Sequence, residues 1–208
     1  SVKASSFGVE LSGISSMLSR AVSWGYVDRN EAKHVRRPKT ESREAVWLET
    51  GEAAKVLEAA REMEQDSASR CLPFLHDLLA TYLLTGGRRE EVFGLTHTNV
   101  NLEAETVQFR PNEYRGLKNR QSRRRVPLWT QLREILQPRL QDHDGEPTDL
   151  IFPAWDGGML TNLRAALATV EERSGVEKHL TIKVFRHTYC ATRIQTLDHG
   201  EPVSLYTV

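Results

Sequence analysis

Several chemistries are missing from this 208-residue chain before any fold is considered. It has two cysteines, Cys71 and Cys190, on separate apolar segments. A disulfide scaffold needs more of them at closer spacing, so two buried free thiols in a reducing cytoplasm are expected. No Cys/His group has metal-site spacing, and no metal is expected. No apolar run approaches the ~20 residues that a membrane helix needs. The opening stretch "SVKASSFGVELSGISSML" lacks the basic-then-apolar layout of a signal peptide. The first residue is Ser rather than an initiator Met, so the chain is expected to begin partway through a gene product. Gly86 and Gly87 are not followed by the Gly-Lys-Ser/Thr of a nucleotide loop, and no small-molecule cofactor is implied. Net charge is absent too, with 28 basic and 28 acidic residues, which argues against an indiscriminate polyanion binder.

Charge is present in its distribution. Between Arg110 and Arg139 stand nine basic residues against Glu113 and Glu134, while acidic residues gather in 41–66 and 142–149. One positive region on a neutral protein fits a polyanion. Arg115, Arg120, Arg123, Arg124 and Arg125 are its candidate phosphate contacts; a solvated basic loop has the same composition.

Periodicity organises the rest. Leu11, Ile14, Leu18, Ala21 and Val22 recur at helical spacing over about 7–24, and Gly25 closes that helix. The polar stretch "EAKHVRRPKTESREAVW" follows as a linker whose Arg36, Arg37 and Lys39 suit a phosphate backbone. One helix and a tail bury no core, so 1–34 is expected to close a helical domain whose earlier part is absent. "LETGEAAKVLEAAREME" is an amphipathic helix capped at Thr50, and 72–84 is a helix apolar nearly all round. "NVNLEAETVQFRP" and "RRRVPLW" carry β-branched residues in rough alternation, giving two or three short antiparallel strands. "TQLREILQPRL", "NLRAALATVEERSGV" and "TIKVFRHTYCATR" return to helical period, with "LIFPAWDGGM" as a buried strand or tight turn.

Three stretches put positive charge in special places. In "LLTGGRREEVFGL", two glycines break a buried helix and Arg88 opens the next, where free N–H groups and the helix dipole favour an anion. Glu91, three residues on, is placed to hold the Arg88 guanidinium. In "YRGLKNRQSRRRVPL", Lys118 sits in a basic hairpin and suits phosphate binding or proton donation. In "TIKVFRHTYCATR", Thr181 caps a helix with Ile182, Phe185 and Tyr189 on its apolar side. Lys183, Arg186, His187 and Arg193 share the other face. Each stretch alone also fits a solvated surface. Together, two arginines and one or two further cations match the equatorial oxygens of a phosphoryl-transfer transition state.

In this order the motifs resemble the tyrosine recombinases, or phage-type integrases. "TGGRREEV" is similar to the family's Thr-Gly-x-Arg-x-x-Glu stretch, "LKNRQSRRRVPL" to its Lys-bearing β-hairpin, and "TIKVFRHTYCAT" to its His-x-x-Arg box. The resemblance implies a mainly α (α+β) fold: a mostly helical catalytic domain with a small antiparallel β-sheet, preceded by the end of a small helical DNA-binding domain. The implied divisions are 1–34, a linker at 35–46, and 47–208. It implies Arg88, Lys118, Lys183 and Arg186 as catalytic residues, with Glu91 and His187 supporting. Double-stranded DNA is the implied partner, with homo-oligomers on DNA for the full-length protein. The activity implied is site-specific recombination through a 3′-phosphotyrosyl intermediate.

Two departures from the family pattern matter. Lys183 stands where His is commonest. The family's Gly-His pair and nucleophilic Tyr follow the second Arg by more residues than remain before Val208, so the chain is expected to be cut short and inactive in cleavage. Tyr206, in "VSLYTV", matches the segment ahead of the missing pair and is expected to pack; Tyr189 is expected in the core. Two other readings stay open. A non-catalytic DNA-binding accessory protein on the same fold would bind without strand transfer. A helical scaffold for an acidic protein would not need Arg88, Lys118, Lys183 and Arg186 to converge.

Overall fold

The computed structural model describes residues 4–38, 44–66, 71–116, 123–141, 144–198 and 201–202. The chain divides into two compact units, Ser1–Glu44 and Ala45–Val208. In the first, α1 (Ala4–Ser23) precedes a single 3-10 turn, Glu31–His34. Asn30 joins them. Its amide donates to the Ser15 carbonyl and to the Ser19 hydroxyl, both at 2.7 Å, and its oxygen accepts from the Ala32 N–H at 3.1 Å. A buried amide satisfied on both ends offsets its desolvation. Val9, Met17 and Trp24 remain exposed on this unit, as expected of one helix and a tail.

The second unit is built around α3 (Leu75–Thr85), which packs against α2 (Thr50–Gln65), α5 (Thr130–Gln141) and α7 (Ile182–Gln195). A helix surrounded on several sides must be apolar all round, and Leu75, Leu78, Leu79 and Tyr82 are fully buried. On α2 the cap is Glu49, one residue before the expected Thr50, because the Glu52 carboxylate reaches back to the Glu49 N–H at 2.7 Å. Helix α6 (Arg164–Ser174) covers α2 and ends on Gly175 in the left-handed conformation. Cys71 and Cys190 are free thiols, half-buried rather than buried; Cys71 lies in the coil before α3, where its thiol donates to the Met63 carbonyl.

Between α4 (Arg89–Phe93) and α5 lies the expected antiparallel sheet, with β1 (Val100–Asn101), β2 (Thr106–Phe109) and β3 (Arg124–Pro127) in that order. The register sets Val107 opposite Val126 and Phe109 opposite Arg124. Side chains alternate faces along a strand, so Arg124 shares the inner face with Val126, whereas Arg123 and Arg125 are exposed. The segment 150–159 is a bridge and a tight turn, with Leu150 paired to Thr96 and Pro153 to Met159. A two-residue ribbon, β4 (Leu197–Asp198) with β5 (Glu201–Pro202), follows α7.

The buried face of α7 centres on Val184, Phe185 and Thr188, not on the expected Ile182, Phe185 and Tyr189. Thr188 is tolerated inside because its hydroxyl donates to the Val184 carbonyl at 2.8 Å and accepts from the Leu48 N–H at 2.9 Å. Tyr189 turns instead onto the end of α3. There Gly86 closes the helix with φ +58°, donating to the Tyr82 carbonyl at 2.9 Å. A Cβ on Gly86 would stand 2.3 Å from the Tyr189 ring.

Gly86→Ala therefore carries both a backbone strain and a clash, and should destabilise the unit by more than about 2 kcal/mol. Urea unfolding checks this: Tyr189→Ala added to Gly86→Ala should recover the steric part and leave the backbone part.

Candidate active site

Glu91 is the centre of the site. It lies on the short helix α4, 3% exposed. Its Oε1 accepts from Arg88 Nη1 at 3.0 Å and Arg124 Nη1 at 2.9 Å. Its Oε2 accepts from the Arg88 backbone N–H and from Arg124 Nη2, both at 2.8 Å. Four donors fill the carboxylate's capacity. Burial alone would raise the Glu91 pKa, but the Arg124 fork, the Arg88 N–H and the nearby Arg charges hold it down to about 2. The Arg88 N–H at the head of α4 is thus already used. What this corner presents to an anion is a set of guanidinium groups, with the Arg88 N–H of the expected helix start occupied by Glu91.

Arg186 enters from α7. Its Nη1 donates to the Gly86 carbonyl at 2.5 Å, across the turn that precedes Arg88. Burial lowers its pKa, and the charges of Arg124 and Arg88 lower it further. The Arg88 and Arg124 guanidinium groups meet on Glu91, and Arg186 is anchored on the Gly86 carbonyl two residues before Arg88. One buried carboxylate opposes them, so the cluster carries an excess of positive charge that an anion with several oxygens would neutralise.

Arg124 was grouped in the sequence with Arg123 and Arg125 as a surface phosphate contact. The structure brings it into the cluster, with its guanidinium 4.5 Å from the Phe109 ring centroid. The signal was available: Arg124, Val126 and Leu128 alternate with exposed positions, a period-2 pattern with an arginine on its apolar face.

Arg115, expected at the surface, is buried at 6% exposure. Its chain crosses Gly94 so closely that a Cβ there would meet Arg115 Cδ at 2.8 Å. Its Nε and Nη2 have no hydrogen-bond partner among the described residues, and burial lowers its pKa, with the charge of Glu91 opposing that shift.

Other expected residues lie in other settings. Lys183 is exposed, one turn before Arg186 on α7. His187 is half-buried, with Nδ1 3.3 Å from the Val46 carbonyl oxygen, and joins Thr188 in tying residues 46–48 to α7. Arg36 and Arg37 are exposed in the first unit. Lys118, Arg120 and Lys39 lie outside the described residues. The basic stretch is less of a surface than its composition suggests: Arg133 is paired with Glu105 and Arg139 with Asp77, while Arg110 donates to the Thr98 carbonyl at 3.1 Å. Arg123 and Arg125 remain exposed beside the Phe109–Pro111 segment. Among the described residues no group of His, Cys, Asp and Glu could hold a metal ion, and no helix is long and apolar enough to cross a membrane.

The Phage integrase family model matches residues 46–196. No curated protein matches the chain in sequence. Among solved structures, XerA recombinase is 21% identical over 78% of this chain and 56% of its own, with a TM-score of 0.55. The Tn1549 transposon integrase in complex with transposon right end DNA is 14% identical over 93% of this chain and 68% of its own, at a TM-score of 0.72. A lambda integrase dimer bound to a COC′ core site is 17% identical over 91% and 66%, at 0.65. These likenesses concern the fold, and the chain spans 56 to 68% of the length of those three proteins.

A depressed Glu91 pKa stabilises the folded state above the ordinary Glu value, and this contribution is lost as pH falls from about 4.5 toward 2. A shift of that size corresponds to roughly 3 kcal/mol. Glu91→Gln should therefore be destabilised at pH 7, with the gap to wild type closing in urea titrations as pH approaches 2.5.

Proposed function

Because the chain belongs to the phage integrase family, we propose that it binds duplex DNA through a phosphate held by Arg88 and Arg186, with the Arg124–Glu91 pair behind Arg88, and that the protein it represents carries out site-specific recombination. The observation that carries this reading is the meeting of the Arg88 and Arg124 guanidinium groups on one buried carboxylate, with Arg186 anchored on the Gly86 carbonyl two residues before Arg88. Strand cleavage and rejoining proceed through a 3′-phosphotyrosyl intermediate. In that chemistry Arg88 and Arg186 neutralise the non-bridging oxygens, as preorganised donors aimed where charge develops. Lys118 protonates the departing 5′-oxygen, and Lys183 adds a further cation beside Arg186. The covalent phosphotyrosine conserves the bond energy for rejoining. Arg36, Arg37, Lys39, Arg120, Arg123 and Arg125 extend the contact along the backbone, and neighbouring copies assemble on the DNA.

Tyr82 and Tyr189 are poorly placed to be the attacking tyrosine. Tyr82 is buried, its hydroxyl donates to the Arg89 carbonyl at 2.9 Å, and burial pushes its pKa well up. The Tyr189 ring is packed on Gly86, and burial raises its pKa. The alternative reading is a DNA-binding accessory protein that uses the same fold without strand transfer.

Titration of the 208-residue chain onto a short duplex checks the first reading. Affinity should fall linearly with log salt, as expected when phosphates release counterions. Arg88→Ala and Arg186→Ala should each weaken binding about tenfold. No covalent adduct should survive denaturing electrophoresis. Salt-independent binding would overturn the phosphate-contact assignment, and a tyrosyl adduct would overturn the expectation that this chain binds without cleaving.

A further inference from the structure

Resting on that phosphate-contact reading, we infer that Arg124 is a positioning residue: its fork grips Glu91, and Glu91 sets where the Arg88 guanidinium points. A surface phosphate contact would present its guanidinium outward, as Arg123 and Arg125 do. The pleat of β3 instead turns Arg124 inward, and both of its terminal nitrogens are committed to Glu91 at 2.9 and 2.8 Å. The ring of Phe109, its centroid 4.5 Å from the guanidinium carbon, gives the fork a second contact independent of those hydrogen bonds. Glu91 is therefore held at both oxygens by a group on another element, before Arg88 is considered.

Arg88 differs in kind. Its side chain is 47% exposed against 4% for Glu91 and 29% for Arg124. A long, half-exposed arginine has many rotamers to lose on meeting a phosphate. The bond from Arg88 Nη1 to Glu91 Oε1 at 3.0 Å removes part of that freedom in advance. It does so only while Glu91 is itself held. The chain of dependence runs from the sheet, through Arg124 and Glu91, to Arg88 on the loop after α3.

A lysine at 124 separates positioning from charge. It keeps the positive charge but has neither the two-pronged geometry nor the stacking plane. Duplex binding is measured at one salt concentration for wild type, Arg88→Ala, Arg124→Lys and the double variant. Positioning predicts that Arg124→Lys loses about fivefold, Arg88→Ala about tenfold, and the double variant little more than Arg88→Ala. Arg125→Gln is the additive control, since it faces outward, and its loss should multiply with that of Arg88→Ala. Wild-type affinity in Arg124→Lys, or losses that multiply in the double variant, would overturn the inference. A second measurement needs no DNA: carboxyl NMR titration of Glu91. In Arg88→Ala the Arg124 grip should keep Glu91 titrating well below the ordinary range. Its return to that range in Arg88→Ala alone would show that Arg124 is not the grip, whether or not Arg124→Lys folds. A wild-type chain that does not bind the duplex would count against the proposed function, while this titration still decides the role of Arg124.

Discussion

A single buried carboxylate organises this molecule's positive corner. Glu91 is 3% exposed, and an isolated charge at that depth would be strongly disfavoured. It is tolerated because two guanidinium groups and a backbone N–H saturate both oxygens. Such arrangements contribute little net stability compared with an apolar replacement, yet they are costly to break from one side. Their value lies in geometry. α4, the sheet and the loop after α3 are tied to one point, and the arginines stay charged and oriented within a partly dehydrated pocket.

The turn at Gly86 is the second constraint. It ends α3 in a left-handed conformation, gives its carbonyl to Arg186 and leaves room for the Tyr189 ring where a side chain would otherwise stand. Arg88 and Arg186 come from elements far apart in sequence, and this glycine is where they meet. A break in a buried helix thus becomes the joint between two arms of the site. The same logic appears at Gly94, whose missing side chain lets the buried chain of Arg115 pass beneath α4.

Local signals made most of the elements legible. Helical period located α2, α3, α5, α6 and α7, β-branched alternation located the three strands, and glycines located the breaks. Boundaries shifted by a residue or a few where side chains competed for the backbone, as when Glu52 moved the α2 cap to Glu49. Arg88, Glu91 and Arg186 were legible as candidates because each stands at a fixed offset in a short motif. Arg124 and Arg115 were misplaced because composition counts charges without saying which way they face. The same error made the basic stretch look more exposed than it is, since Arg133 and Arg139 find acidic partners at Glu105 and Asp77.

By itself, then, the sequence determined the order and type of the elements, and the family whose motifs they carry, because those depend on local periodicity and on spacing along the chain. Only the tertiary structure decided which cations lie together. Whether an arginine lies over a phenyl ring, on a carboxylate or in water depends on strand register, on pleat and on what packs across from it. Those are set by contacts between residues 33 or 100 positions apart, as in Arg124 with Glu91 and Arg186 with Gly86.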